Sequence, residues 1–188
     1  MALTPSMMVP LGTPAPAFAL LDMHGRVVRR DDLVAAPALV VMFLCNHCPY
    51  VRHVRAGLAE LGRDLAARGV AVVGICSNDA QAYPADAPDR MAAEARDAGW
   101  TFPYLHDATQ QVARAYGAAC TPDFFVFDGS GKLAYRGQLD DSRPGNGRPV
   151  TGADVRAAVA AILEGRPPLA RQMPSLGCNI KWRPGNEP

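Results

Sequence analysis

The chain has 188 residues, enough for one domain with a single substantial core, and its 19 basic against 18 acidic residues leave a formal net charge of +1. That balance gives no electrostatic basis for nucleic acid or an anionic membrane as the main partner, and no run approaches the ~20 apolar residues that cross a bilayer. The N-terminal stretch MALTPSMMVPLGTPAPAFALLDMHG has no basic leader, and prolines break its apolar runs. The expected location is therefore cytoplasmic, where the five cysteines suit catalysis or metal binding better than a disulfide framework.

The first forty residues read as short extended pieces, with a β-hairpin turning at His24-Gly25. Ala38 to Leu44, ALVVMFL, is a continuous apolar run of strand length, as expected for a central strand covered on both faces. From Cys48 the period changes: Val51, Val54, Leu58, Leu61 and Leu65 recur at steps of three and four, an amphipathic helix ending near Gly69. Val70 to Ser77 is a second buried strand, followed by a loop and a helix from about Asp89 to Ala98. TFPYLHD reads as a short strand, TQQVARAY as a short helix, and DFFVFDGSGKLAYRG as a hairpin turning at Gly129-Ser130-Gly131. A polar loop from Asp140 to Pro149 precedes the helix GADVRAAVAAILEG, and the Pro-rich tail from Arg166 to Pro188 reads as irregular. The order implies one α/β domain over residues 1–188, with a mixed central sheet, helices on both faces and an N-terminal hairpin extension.

The stretch FLCNHCPYV carries the chemistry. Cys45 follows the buried strand and is expected at the helix N-terminus, where unpaired backbone N–H groups and the macrodipole favour a thiolate. Cys48 is expected one turn further on and more buried, within reach to close a small disulfide ring. Pro49 in the first turn costs little, because its missing N–H has no intrahelical partner there. Between the cysteines, His47 offers positive charge and a ring N–H, and Asn46 an amide N–H. Both favour the reduced form, so the couple is expected above the thioredoxin-like value of roughly −270 mV, towards about −200 mV. Two cysteines at this spacing also occur as core residues, but the flanking strand and helix favour a redox couple. Farther along, Thr121-Pro122 precedes a buried strand, a place for a cis bond. Its Thr121 backbone groups are then expected to pair with an extended substrate strand.

Strand, CxxC, helix and a distant Thr-Pro before a hairpin resemble the thioredoxin-like superfamily over roughly Val9 to Gly165. The hairpin extension, FLCNHCPYV, CTPDFFVFD, YRGQLDD and the tail SLGCNIKW are together similar to the peroxiredoxin-like redoxin (AhpC/TSA) group. The resemblance implies Cys45 as attacking nucleophile, Cys48 as resolving thiol and Pro122 as the cis-proline. The expected substrates are protein or low-molecular-weight thiols and disulfides, with a thioredoxin or glutathione system as a candidate reductant and no cofactor. The departures matter. Peroxiredoxins carry a Thr or Ser three residues before the peroxidatic cysteine and a Pro seven before it, where Met42 and Ala38 stand here. They also place an Arg near the position that Pro122 holds. The buried acid of thioredoxins falls on Leu39, leaving His47 and water to move protons at Cys48.

Two further readings accompany this one. A thiol peroxidase of antioxidant type would oxidise Cys45 to a sulfenic acid, captured by Cys48 or Cys178. A copper- or zinc-delivering protein would use Cys45, Cys48 and a distant histidine, although no second CxxC or HxxxH supports it. Cys178 is a candidate second resolving cysteine if the tail folds back, and Cys120 a candidate third partner near Pro122. Cys76 reads as a core residue, His53 and Arg136 as surface or boundary residues, and His106 as a residue near the active-site edge.

Overall fold

The protein is described by a computed structural model covering residues 3–188. Its strands are β1 (Leu3–Pro5), β2 (Ala19–Asp22), β3 (Val27–Arg29), β4 (Ala38–Phe43), β5 (Ala71–Cys76), β6 (Tyr104–His106), β7 (Cys120–Thr121), β8 (Asp123–Asp128), β9 (Leu133–Gly137) and β10 (Leu176–Asn179). Its helices are α1 (Arg30–Leu33), α2 (Pro49–Ala67), α3 (Pro88–Ala98), α4 (Gln111–Tyr116) and α5 (Ala153–Leu163), with a single 3-10 turn at Pro84–Asp86.

Seven strands form the main sheet in the order β3-β2-β6-β5-β4-β8-β9. The crossover strands β4, β5 and β6 run parallel, while β2, β3, β8 and β9 add antiparallel hairpins at the two sides. β4 lies inside and is buried along its whole length. Its alternate residues Ala38, Val40 and Met42 face one apolar cluster, and Leu39, Val41 and Phe43 face the other. That two-sided burial explains why the run lacks polar alternation. On α2, Val51, Val54, Leu58, Leu61 and Leu65 form the stripe buried against the first cluster, each worth about 1.5–3 kcal/mol of transfer free energy. Pro49 occupies the first turn, and the chain leaves the helix through Gly69 at φ +72°.

The tail departs from expectation. It contains β10, which lies between β1 and β7 in a second, three-stranded antiparallel sheet. Its alternation is too short and glycine-containing to register as a strand in sequence. The pairing strands β1 and β7, more than 50 residues away, supply the hydrogen bonds that make it one. Among the described residues, no helix is long and apolar enough to cross a membrane.

Candidate active site

The site is built where β4 ends and α2 begins. Leu44 donates its N–H to the Ile75 carbonyl at 2.9 Å, holding the chain to β5 for one more residue. Cys45, Asn46 and His47 then form a turn, and α2 starts at Pro49. The residue at the N-cap is Cys48, with extended φ −71° and ψ 124°. The expected placement of the two thiols is thus corrected. Cys45 precedes the helix by a full turn of chain and is 1% exposed, while Cys48 holds the N-cap and is fully buried. Proline is the reason: it opens a helix at its first position, and Pro49 fixes that start one residue after Cys48.

The electrostatics follow this placement. Cys48 is pulled down to about 5, first by the hydrogen bond from the Cys45 thiol; burial opposes this, and the Cys178 thiol and the backbone N–H groups of Val51 and Cys178 add to it. Val51 is the third helical residue, so its N–H is one of the donors that a helix start leaves without an intrahelical partner. Cys45 moves the other way, pushed well up by its hydrogen bond to Cys48, by burial and by the negative charge of Asp86. The hydrogen bond between the two thiols thus lowers Cys48 and raises Cys45. The Thr121 carbonyl works against the charge on Cys48: it lies 3.1 Å from Sγ and accepts a hydrogen bond when Cys48 is a thiol.

His47 does not act as expected. Its Nδ1–H donates to Asp86 Oδ2 at 2.7 Å, and its ring stacks on Tyr83 with centroids 5.5 Å apart. His47 is thus directed at a carboxylate and not at the thiols, and the charge that acts on Cys45 is that of Asp86. Asp86 is fully buried in the 3-10 turn and also accepts from the Asn46 backbone at 2.7 Å and from Asn78 Nδ2 at 2.8 Å. Burial pushes its carboxyl up, but the bonds from His47, Asn78 and Asn46 outweigh it and hold it below the usual carboxylate value. Asn46, expected to offer its amide N–H beside the thiols, is turned inwards: its Nδ2 donates to the Ala85 carbonyl and its Oδ1 accepts from the Tyr104 hydroxyl. Asp86, Asn78 and Tyr104 were not legible as site residues. They come from three separate segments, and only a Pro-bracketed acid in YPADAP hints at a fixed turn.

The Thr121-Pro122 bond is cis, as expected. Thr121 Oγ1 lies 3.2 Å from Cys45 Sγ. The expectation that the Thr121 backbone is open to a substrate strand is corrected: Thr121 pairs with Cys178 and Cys120 with Asn179, so β10 covers β7. Cys178 thereby reaches Cys48, with which it shares a side-chain hydrogen bond. Cys120 stays apart, its thiol directed at the Pro122 carbonyl and its pKa pushed up by burial and by Asp123. Asp123 is a buried acid that sequence reasoning missed. It is fully buried, accepts from Ser6 Oγ at 2.6 Å, and burial raises its carboxyl to about 7. Cys76 packs in the core, and burial raises its thiol strongly. His53 bonds Ser142 at 2.7 Å, and Arg136 bonds Gln172 of the tail. His106 ends as the last residue of β6, with its pKa lowered by burial.

Cys45, His47 and Asp86 bring one sulfur, one nitrogen and one oxygen ligand atom within 4.8 Å of one another. This is a different set from the Cys45, Cys48 and distant histidine weighed in sequence. His47 and Asp86 already bond each other in it, and Asp86 has two further donors.

Comparison with known proteins places this geometry. The family model described as AhpC/TSA family matches residues 11–136. A crystal structure of an uncharacterized conserved protein from Geobacillus kaustophilus is 54% identical, covers 98% of both chains and superposes with a TM-score of 0.96. A hypothetical protein from Sinorhizobium meliloti 1021 is 52% identical over 97% of this chain and 100% of that one, at a TM-score of 0.95. At 22% identity, a thiol:disulfide interchange protein of the thioredoxin family from Chlorobium tepidum TLS covers 81% of this chain and 97% of its own, at a TM-score of 0.63. That last likeness extends to the fold, which is thioredoxin-like. Among curated proteins no sequence matches the chain.

Proposed function

The chain belongs to the AhpC/TSA family, and within it we propose that this protein is a thiol–disulfide oxidoreductase whose redox couple is Cys45–Cys48, with Cys48 as the attacking thiolate. The observation that carries this reading is the position of Cys48 at the N-cap of α2, where the Val51 N–H and the Cys45 thiol both favour its thiolate.

In the first step the Cys48 thiolate attacks one sulfur of a substrate disulfide R–S–S–R′. A Cys48–S–S–R bond forms and R′S⁻ departs. Cys45 then attacks Cys48 Sγ, the S–R bond breaks, and the Cys45 proton leaves with the departing thiol RSH. The product is the Cys45–Cys48 disulfide, which two equivalents of a donor thiol, from a low-molecular-weight pool or a thioredoxin-type protein, return to the dithiol. Stabilising the Cys48 thiolate stabilises the reduced state, which supports a couple more oxidising than roughly −270 mV. The cause is the helix start and the neighbouring thiols, in place of His47.

The test is glutathione-disulfide and insulin reduction by wild type, Cys48→Ser and Cys45→Ser. Cys48→Ser is expected to lose activity entirely, and Cys45→Ser to take up glutathione on Cys48 but to lose steady turnover. Peroxide consumption that far outpaces disulfide exchange would instead establish a thiol peroxidase. Copper or zinc retained stoichiometrically through gel filtration would establish a metal carrier.

A further inference from the structure

Three sulfurs meet at Cys48. Cys45 approaches from the turn before it, and Cys178 from β10, whose register sets it opposite Thr121. Cys48 is buried completely, and Cys178 is 4% exposed, so both sulfurs are sealed by the same tail strand.

β10 is paired on both edges and anchored at both ends. Ser6 and Ser175 exchange hydrogen bonds: the Ser6 N–H donates to the Ser175 carbonyl, and the Ser175 N–H donates to Ser6 Oγ. Ser175 Oγ donates to the Pro122 carbonyl, next to the site. Past the strand, the Ile180 N–H donates to the Ala119 carbonyl and the Lys181 N–H to Asn78 Oδ1. Between these anchors, Gly177 lies flat on the Thr121–Pro122 peptide, where a Cβ would overlap the Thr121 carbonyl oxygen. Only glycine permits that approach. The backbone edge that an extended peptide would use for strand addition is therefore filled by the chain itself, with a cysteine opposite Thr121.

We propose that β10 is a built-in substrate strand and that Cys178 is a third redox thiol, forming a Cys48–Cys178 disulfide as an intermediate before Cys45 takes over. This rests on the reading of Cys48 as the attacking thiolate. The steps balance without a further oxidant. Once Cys48 carries the group R in a mixed disulfide, Cys178 attacks Cys48 Sγ, the S–R bond breaks, and the Cys178 proton leaves with RSH. Cys45 then attacks Cys48 Sγ of the Cys48–Cys178 disulfide, giving Cys45–Cys48 and passing its proton to the Cys178 sulfur. The timing is built in. In the resting protein, burial and then the hydrogen bond and negative charge at Cys48 hold the Cys178 thiol up at about 12, opposed by Lys181. Forming the mixed disulfide removes that charge and hydrogen bond, so Cys178 becomes easier to ionise at the step that needs it.

The experiment treats Cys45→Ser and the double variant Cys45→Ser/Cys178→Ser with oxidised glutathione and follows the adducts by peptide mass spectrometry. The expected result is a Cys48–Cys178 disulfide in the single variant. The double variant is expected to hold glutathione on Cys48 at least ten-fold longer. Equal retention in the two variants would overturn the relay while leaving Cys48 as the nucleophile. Glutathione found on Cys45 or Cys178 and never on Cys48, or no adduct at all, would overturn the reading of Cys48 itself. Because serine at position 45 perturbs a buried site, rapid quenching of the wild-type protein gives a second readout. The relay requires Cys48–Cys178 to appear before Cys45–Cys48, and simultaneous or reversed appearance rejects it.

Discussion

Replacing Cys45 by alanine removes the leading support of the Cys48 thiolate. The hydrogen bond from the Cys45 thiol is the first cause of the fall of Cys48 to about 5, and a hydrogen bond to a charged group contributes roughly 1.5–3 kcal/mol. At 1.36 kcal/mol per pKa unit, Cys48 in Cys45→Ala is expected to titrate about 1–2 units higher, near 6–7. The Val51 N–H at the helix start and the Cys178 thiol remain, so it stays below an ordinary cysteine at ~8.5. Thiolate absorbance near 240 nm (a wavelength range where thiols are nearly transparent), followed against pH, measures this directly. Wild type should show one thiolate rising near pH 5, and Cys48→Ala should lack it. The same depression sets a stability slope. A group whose folded pKa is lowered stabilises the fold fully above its unfolded value of ~8.5 and loses that contribution as pH falls towards 5. Cys48→Ala should flatten the slope in that window. If Cys48→Ala keeps the low-pH thiolate and Cys45→Ala abolishes it, the assignment of charge to Cys48 is refuted.

Asp123 gives the opposite slope. Its folded pKa of about 7 lies above the ordinary carboxylate value, so its favourable contribution is complete at low pH and lost as pH rises through 7. Asp123→Asn is expected to flatten the decline of stability between pH 4 and 7 and to raise Tm at pH 8, by up to ~4 kcal/mol in stability; an unchanged slope by thermal unfolding at several pH values would count against it. Asp86→Asn removes a buried acceptor of three hydrogen bonds and is expected to cost about 3–5 kcal/mol, as breaking one side of a buried charged pair does. It should also lower the Cys45 thiol, because the negative charge that raises it is gone; chemical denaturation and thiol titration check the two effects. Gly177→Val is expected to pry β10 from Thr121, speeding alkylation of Cys48 and insulin reduction, and slower alkylation than wild type would contradict a covering role for the strand.

The two-sided burial of β4 and the stripe on α2 were legible because each records one local period. Ala38 to Phe43 has no polar residue to turn outwards, and Val51, Val54, Leu58, Leu61 and Leu65 can share a face only in a helix. The turn residues around Gly25 and Gly131, both at positive φ, marked the hairpins for the same local reason. Which cysteine caps the helix was less legible. The sequence shows Pro49, but placing the helix start after Cys48 depended on giving that proline more weight than the strand's end. His47 misled because its nearest charge in sequence is not its nearest in space: Asp86 is 39 residues away and 2.7 Å from its ring.

By itself the sequence determined the succession of the central strands and helices, the CxxC at a strand-to-helix junction and the Thr-Pro bend, since each is written in periods and neighbours a few residues apart. Tertiary structure alone decided how those parts share charge. It set Asp86 under His47, seated Cys178 opposite Thr121 and buried Asp123 against Ser6. The physical reason is that a thiol's pKa and reach depend on burial and on donors within about 4 Å, and here those donors come from segments up to 130 residues apart, as Cys48 and Cys178 show.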